Sequence, residues 1–127
     1  MQTKEQKRSA FALEQITAVF KGQVDEKTAN FIVGVPTMIL SNGLAQTMAF
    51  LFSKKKDKKY KDTFDVIKLW LTREFPALKK QPEMEFLLSF SGLKQDQYLQ
   101  AQQEALAMLQ WLKRYVRAFE KEEGGQK

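Results

Sequence analysis

Apolar positions recur at spacings of three and four through most of the chain, the period of helices buried along one face. Leu13, Ile16 and Phe20, flanked by Ala10 and Val19, predict a first helix from Thr3 to about Lys21. Gly22 follows where a helix C-terminal glycine belongs. Asp25 is placed to cap a second helix carrying Phe31, Ile32 and Val35, with Glu26 in its first turn. Pro36 lacks an N–H and clashes with the preceding turn, so it is expected to end that helix and start a third, running to about Ser53. Asn42-Gly43 is the weak point of that third helix, a kink or a short break.

The run 54–61 reads as a loop, after which Asp62 or Thr63 opens a helix bearing Phe64, Ile67, Trp70 and Leu71 that stops ahead of Pro76. Pro82 and Glu83 start a short helix with Phe86, Leu87 and Phe90, stopped by Ser91-Gly92. The last helix spans about Gln95 to Glu122. Along it Tyr98, Gln102, Ala105, Leu109, Leu112, Val116 and Phe119 alternate spacings of four and three, one stripe down the whole length. No run alternates with period two, so no strand is expected. The pattern predicts an all-α single-domain bundle of about five to six helices over 1–123, with a basic loop at 54–61 and a frayed tail at 124–127.

Length agrees with one domain: 127 residues bury roughly 65–70% of the surface their unfolded chain exposes. Apolar residues make up 43% of the chain, too many for a disordered tail. Cysteine is absent, which excludes disulfides, zinc–thiolate sites and thiol nucleophiles. Histidine is absent too, removing the commonest general base, every Ser–His arrangement and imidazole metal sites. The glycines form neither a phosphate loop nor a dinucleotide fingerprint. Asp62 and Asp65 share a helix face and could hold one hydrated magnesium ion, but the same pair favours a helix N-terminus through its dipole. Glu83 and Glu85 read the same way. The sequence points away from an enzyme, and no cofactor or metal is expected.

Charge is unevenly placed. Residues 1–53 carry five Lys/Arg against four Asp/Glu, and residues 62–127 carry ten of each. The excess lies in Lys54-Lys55-Lys56-Asp57-Lys58-Lys59-Tyr60-Lys61, six lysines with one aspartate. Such a block attracts a polyanion such as nucleic acid, or it serves only as a solvated face. Thr28 to Ser53 holds no charged residue and the basic block follows it, the outline of a membrane span with a lysine anchor. Asn42, Gln46 and a mid-span Pro36 are costly in hydrocarbon, so two packed helices are expected instead. The amino-terminal residues lead into no signal-type apolar run, and a cytoplasmic protein is expected.

The segment Pro36 to Lys54, with Ser41-Asn42-Gly43-Leu44-Ala45-Gln46-Thr47-Met48-Ala49-Phe50-Leu51-Phe52-Ser53-Lys54, resembles the small helical subunit of Cmr-type (type III-B) CRISPR effector complexes. Arg8-Ser9-Ala10-Phe11-Ala12 is similar to that family's arginine-then-alanine opening, and a basic loop follows the signature. Glu104-Ala105-Leu106, then Trp111-Leu112-Lys113-Arg114-Tyr115, are similar to its final helix. The likeness covers roughly residues 4–120. Residues 55–95 match no motif beyond the basic loop.

The resemblance implies an all-helical, non-catalytic subunit, several copies of which line up along the guide–target RNA channel. It implies contact with the backbone subunits and the Cas10-type large subunit, and help in holding target RNA, while cleavage belongs elsewhere. Carried over by position, Arg8, Lys54, Lys113 and Arg114 are candidates for RNA or partner contacts, with Lys55, Lys58, Lys59 and Arg117 beside them. Cations bind phosphates without reading base identity, which suits a complex that reads sequence by base pairing. Arg114 and Arg117 fall off the last helix's apolar stripe, on an outward face that Arg8 of the first helix is placed to join.

Each candidate has a plainer reading. Arg8 pairs with Glu5 or a neighbouring helix, and Lys113 and Arg114 favour a helix C-terminus. Asn42 satisfies backbone groups at a kink, Gln46 meets only water, and Gly43 and Leu44 are structural. Trp111 is either second-face core or an interface anchor. A free-standing basic helical nucleic-acid-binding protein is the alternative function. Co-purification with the other Cmr-type subunits separates the two.

Overall fold

The computed structural model describes residues 1–78 and 82–122, and the tail expected to fray lies outside them. Six α-helices are found among the described residues: α1 Lys4–Ala18, α2 Glu26–Asn42, α3 Leu44–Ser53, α4 Lys58–Glu74, α5 Glu83–Ser91 and α6 Gln95–Ala118. A single 3-10 turn, Pro76–Leu78, precedes α5, and no strand occurs among these residues. The all-α class is as the periodicity predicts. Two compact units divide the chain: Met1–Pro36 with the described part of Ala107–Lys127, and Thr37–Leu106.

In the first unit, Thr3 caps α1 with a capping box, its hydroxyl accepting from the Gln6 N–H while the Gln6 side chain accepts from the Thr3 N–H. The buried face of α1 is Phe11, Ala12, Gln15 and Ile16, whereas Leu13 is 42% exposed. Spacing alone admits two stripes that share Ile16, and burying Phe11 removes the larger apolar surface. The helix ends through Lys21 and Gly22, both at positive φ, and the Gly22 N–H reaches back to the Ile16 carbonyl at 2.9 Å. Asp25 caps α2 as expected, accepting from the Thr28 N–H at 2.8 Å.

The end of α6 departs from expectation. The helix stops at Ala118, and residues 119–121 form an isolated parallel bridge with Val24. Val24 is 1% exposed and its backbone groups need partners away from water. Its N–H donates to the Phe119 carbonyl at 2.9 Å, and its own carbonyl accepts from the Lys121 N–H at 2.7 Å. Phe119, expected inward, is turned out and 41% exposed. Met108, Leu109, Leu112 and Val116 are fully buried.

Pro36 does not end α2. The helix runs through it to Asn42, and the break falls at Gly43. An interior proline costs about 3 kcal/mol, but Ile32, Val35 and Ile39 around it are fully buried, at roughly 1.5–3 kcal/mol each. Gly43 has φ +86° and ψ 161°, a backbone state essentially reserved for glycine. The weak point anticipated at Asn42-Gly43 is therefore the helix boundary itself.

In the second unit, α3 packs against α4 and α5. A line of rings joins its elements: Phe52 to Phe64 at 5.0 Å between centroids, Phe64 to Phe86 at 6.1 Å, Phe86 to Phe90 at 5.1 Å and Phe90 to Tyr98 at 6.4 Å. Trp70 on α4 donates its indole N–H to Glu104 on α6 at 2.9 Å, with the two residues 2% and 7% exposed.

Two stability effects follow. Gly43→Ala forces a Cβ into a glycine conformation, 3.3 Å from the Tyr98 hydroxyl, and should cost roughly 1–3 kcal/mol in urea unfolding. Glu104→Ala removes the carboxylate that accepts from the buried Trp70 N–H and should cost about 1–3 kcal/mol in the same assay, with little change in helix content.

Candidate polyanion and partner surfaces

The lysine block is not one loop. Lys54 to Asp57 form the turn after α3, and α4 begins at Lys58, ahead of the start expected at Asp62 or Thr63. Asp57 makes this possible by capping α4, its carboxylate accepting from the Lys59 N–H. Lys58 pairs with Asp62 and Lys61 with Asp65, each one turn along the helix, and Lys59 pairs with Asp57 at 2.8 Å. Those pairs offset the repulsion that so many lysines would create in a first turn. They also give Asp62 and Asp65 a role as ion-pair partners.

Lys54, Lys55 and Lys56 differ from these. All three are exposed and have no carboxylate partner among the described residues. The Lys55 ammonium lies 4.5 Å over the Phe52 ring. The positive field reaches its neighbours. The Lys59 ammonium bonded to Asp57 holds that carboxyl below its ordinary range, helped by the charge of Lys54. Glu83, at the start of α5, is lowered by its own backbone N–H and by the charges of Lys68, Lys61 and Lys55.

The Asn42–Gln46 segment lies at the break between α2 and α3. No side chain of its own caps α3. Instead α6 supplies the acceptors: the Leu44 N–H donates to Gln102 Oε1 and the Ala45 N–H to the Tyr98 hydroxyl, each at 2.9 Å. Leu44 is fully buried, whereas Asn42 and Gln46 are exposed. Spacing places Tyr98 and Gln102 only on the apolar stripe of the last helix. Their polarity on that stripe is the signal that points further, because a polar seam residue needs a partner.

In the first unit, α6 and α1 are tied by two bonds one turn apart. Trp111 Nε1 donates to Glu5 Oε1 at 2.6 Å, and the Tyr115 and Ser9 hydroxyls lie 2.7 Å apart. Trp111 is half-buried and stacks on Tyr115. The other Glu5 oxygen accepts from Arg8 at 2.6 Å. Arg8 is thus held within the α1–α6 contact, its side chain 17% exposed, and does not share the open face expected with Arg114. Arg114 and Arg117 are exposed as expected, and with Lys113 and Val33 they line a shallow cleft of about 360 Å³. Arg117 pairs with Glu120 at 3.0 Å, while Lys113 and Arg114 have no ion pair among the described residues.

No group of three metal-ligating side chains occurs among the described residues, and no helix there is long and apolar enough to cross a membrane. Among the described residues the fold presents two cationic surfaces: the run Lys54, Lys55 and Lys56 without carboxylate partners in one unit, and an arginine–lysine cleft in the other. This is a small all-helical protein whose exposed chemistry suits binding to anions. The family model for CRISPR-associated protein (Cas_Cmr5) matches residues 4–119, and the chain belongs to that family, the small subunit of type III-B (Cmr) CRISPR complexes.

The Asp57 cap gives a pH test. Its carboxyl stays ionised to lower pH in the folded chain than in the unfolded one, so its contribution is full at neutral pH. That contribution fades as the pH falls through and below the ordinary aspartate range. Asp57→Ala should lower the melting temperature at pH 7, and the gap from wild type should close on acidification. A gap independent of pH would mean that the carboxylate is not the cap.

Proposed function

We propose that this chain is a non-catalytic, RNA-holding subunit of its Cmr complex, working in the cytoplasm. In this reading Lys54, Lys55 and Lys56, with Lys58 and Lys59 behind them, lie along the phosphates of the target RNA strand. Lys113, Arg114 and Arg117 meet a neighbouring backbone or Cas10-type large subunit, or a further copy of the chain. The observation that carries the reading is the contrast within the lysine block. Where a lysine only supports α4 it has an aspartate; the three before the cap have none among the described residues and are open to an outside anion. Phosphate contacts by such side chains position RNA without reading its bases, the task left to a subunit when base pairing supplies specificity. Arg8 serves the α1–α6 contact through Glu5 and contributes to binding through that contact.

Lys54, Lys55 and Lys56 changed together to Glu should leave the melting temperature nearly unchanged, since substitutions at exposed sites usually cost little. The change should weaken RNA association and flatten its salt dependence by roughly 0.7 log units for each phosphate no longer neutralised. An unchanged slope would reduce the block to a solvated face. Arg114→Glu with Arg117→Glu should give a folded chain that enters the complex poorly in a pull-down with the other subunits. Tight binding of bare RNA by the isolated chain at physiological salt would instead favour a free-standing nucleic-acid-binding protein.

A further inference from the structure

The second unit carries a cleft of about 660 Å³ at the α2–α3 break, lined by Met38, Ser41, Asn42, Gln46, Thr47 and Phe50. None of these six residues is charged. Asn42 and Gln46 are exposed, and neither carboxamide makes a hydrogen bond among the described residues. Thr47 is 1% exposed, yet its hydroxyl has no partner, although helical threonines commonly bond the carbonyl one turn back. Phe50 is 40% exposed and meets Tyr60 of the lysine block edge to face, the ring centroids 5.7 Å apart. Lys54 follows Phe50 by four residues, about one helical turn.

We propose that this cleft receives a base of single-stranded RNA, stacked on Phe50 and bonded at its edge by Asn42 and Gln46, while Lys54, Lys55 and Lys56 hold the flanking phosphates. The proposal rests on the RNA-holding reading above and names how the strand is gripped. A carboxamide offers donors and an acceptor together, the complement of the mixed pattern on the Watson–Crick edge of each base. An exposed ring accepts any base by its π-face, so the grip tolerates sequence. Uncharged lining beside a cationic strip is the arrangement a strand needs, its bases apolar-faced and its backbone anionic. A peptide would satisfy the carboxamides equally well. The adjoining lysines without carboxylate partners are what decide for a polyanion.

The test uses the full chain, alone and within the assembled Cmr complex, with three probes: a short single-stranded oligoribonucleotide, the same strand made abasic, and its duplex. Wild type should prefer the base-bearing strand over both the abasic strand and the duplex by roughly 5- to 150-fold, the range that stacking on one aromatic side chain supplies. Phe50→Leu keeps apolar bulk, and it should abolish that preference while leaving the salt slope unchanged. Asn42→Ala with Gln46→Ala should reduce the preference in part, and a thermal melt of each variant confirms folding. Equal binding of abasic and base-bearing strands by wild type overturns the proposal, provided that Lys54, Lys55 and Lys56 changed to Glu still weaken both. If no strand binds chain or complex through these lysines, the RNA-holding reading falls and takes this proposal with it. If Phe50→Leu keeps the base preference but enters the complex poorly, the cleft docks a protein segment and the proposal is wrong.

Discussion

The N-terminus of α3 is the constraint around which the second unit is arranged. A helix that starts directly after another has ended leaves its first N–H groups without intrahelical acceptors, and here no local side chain supplies one. Gly43 lets the backbone turn out of α2, and its N–H closes that helix on the Ile39 carbonyl at 2.7 Å. The acceptors for Leu44 and Ala45 come from Gln102 and Tyr98, more than fifty residues later. The position of α3 is therefore fixed by α6. Through Tyr98 the same anchor reaches the ring line from Phe90 to Phe86 and Phe64. Once α3 is placed, so are the lysines at its end and the cleft that runs along it from Gln46 to Phe50.

Charge placement follows from helix formation as much as from binding. Six lysines within eight residues oppose a helix unless carboxylates intervene. Asp57, Asp62 and Asp65 intervene at the cap and at one-turn spacings. The aspartates do not extend backward past the cap, so the cluster divides at Asp57 into a paired half on α4 and an unpaired half in the turn. Exposed pairs of this kind contribute little stability. Their effect is on where the net charge lies: it is concentrated on the three residues closest to the end of α3.

Helical periodicity makes the class of fold and most helix ends legible, because caps such as Thr3, Asp25 and Gly92 act locally. The departures share a cause in packing and partners that a local pattern does not show. Pro36 looks like a terminator on its local cost, which burial of its neighbours outweighs. The start of α4 is hard to place because a lysine-rich string hides a capping aspartate. The last turn of α6 yields to the backbone needs of Val24, nearly a hundred residues away. The sequence resemblance to the Cmr small subunit agrees with the family match, whereas the roles of individual cations depend on partners that spacing does not reveal. Arg8 is the plainest case, paired with a carboxylate three residues before it and with its side chain only 17% exposed.

The motif residues fall into two groups once their contacts are known. Ser9, Glu104, Trp111 and Tyr115 are joined to partners far along the chain, and Gly43 permits the backbone state that lets α6 cap α3. These residues fasten the fold, and substituting any of them would disturb geometry before it disturbed recognition. Asn42, Gln46, Lys113 and Arg114 sit among them in sequence, yet none makes a side-chain hydrogen bond or ion pair among the described residues. Exposed carboxamides at a helix break and cations towards a helix C-terminus are ordinary for folding, and they leave these side chains available to a partner. Fastening residues hold these side chains at fixed positions on rigid helices, and that preorganisation is what a binding surface requires. The signature segments thus combine a scaffold with what the scaffold presents, and the residues that do least for stability are the ones whose chemistry faces outward.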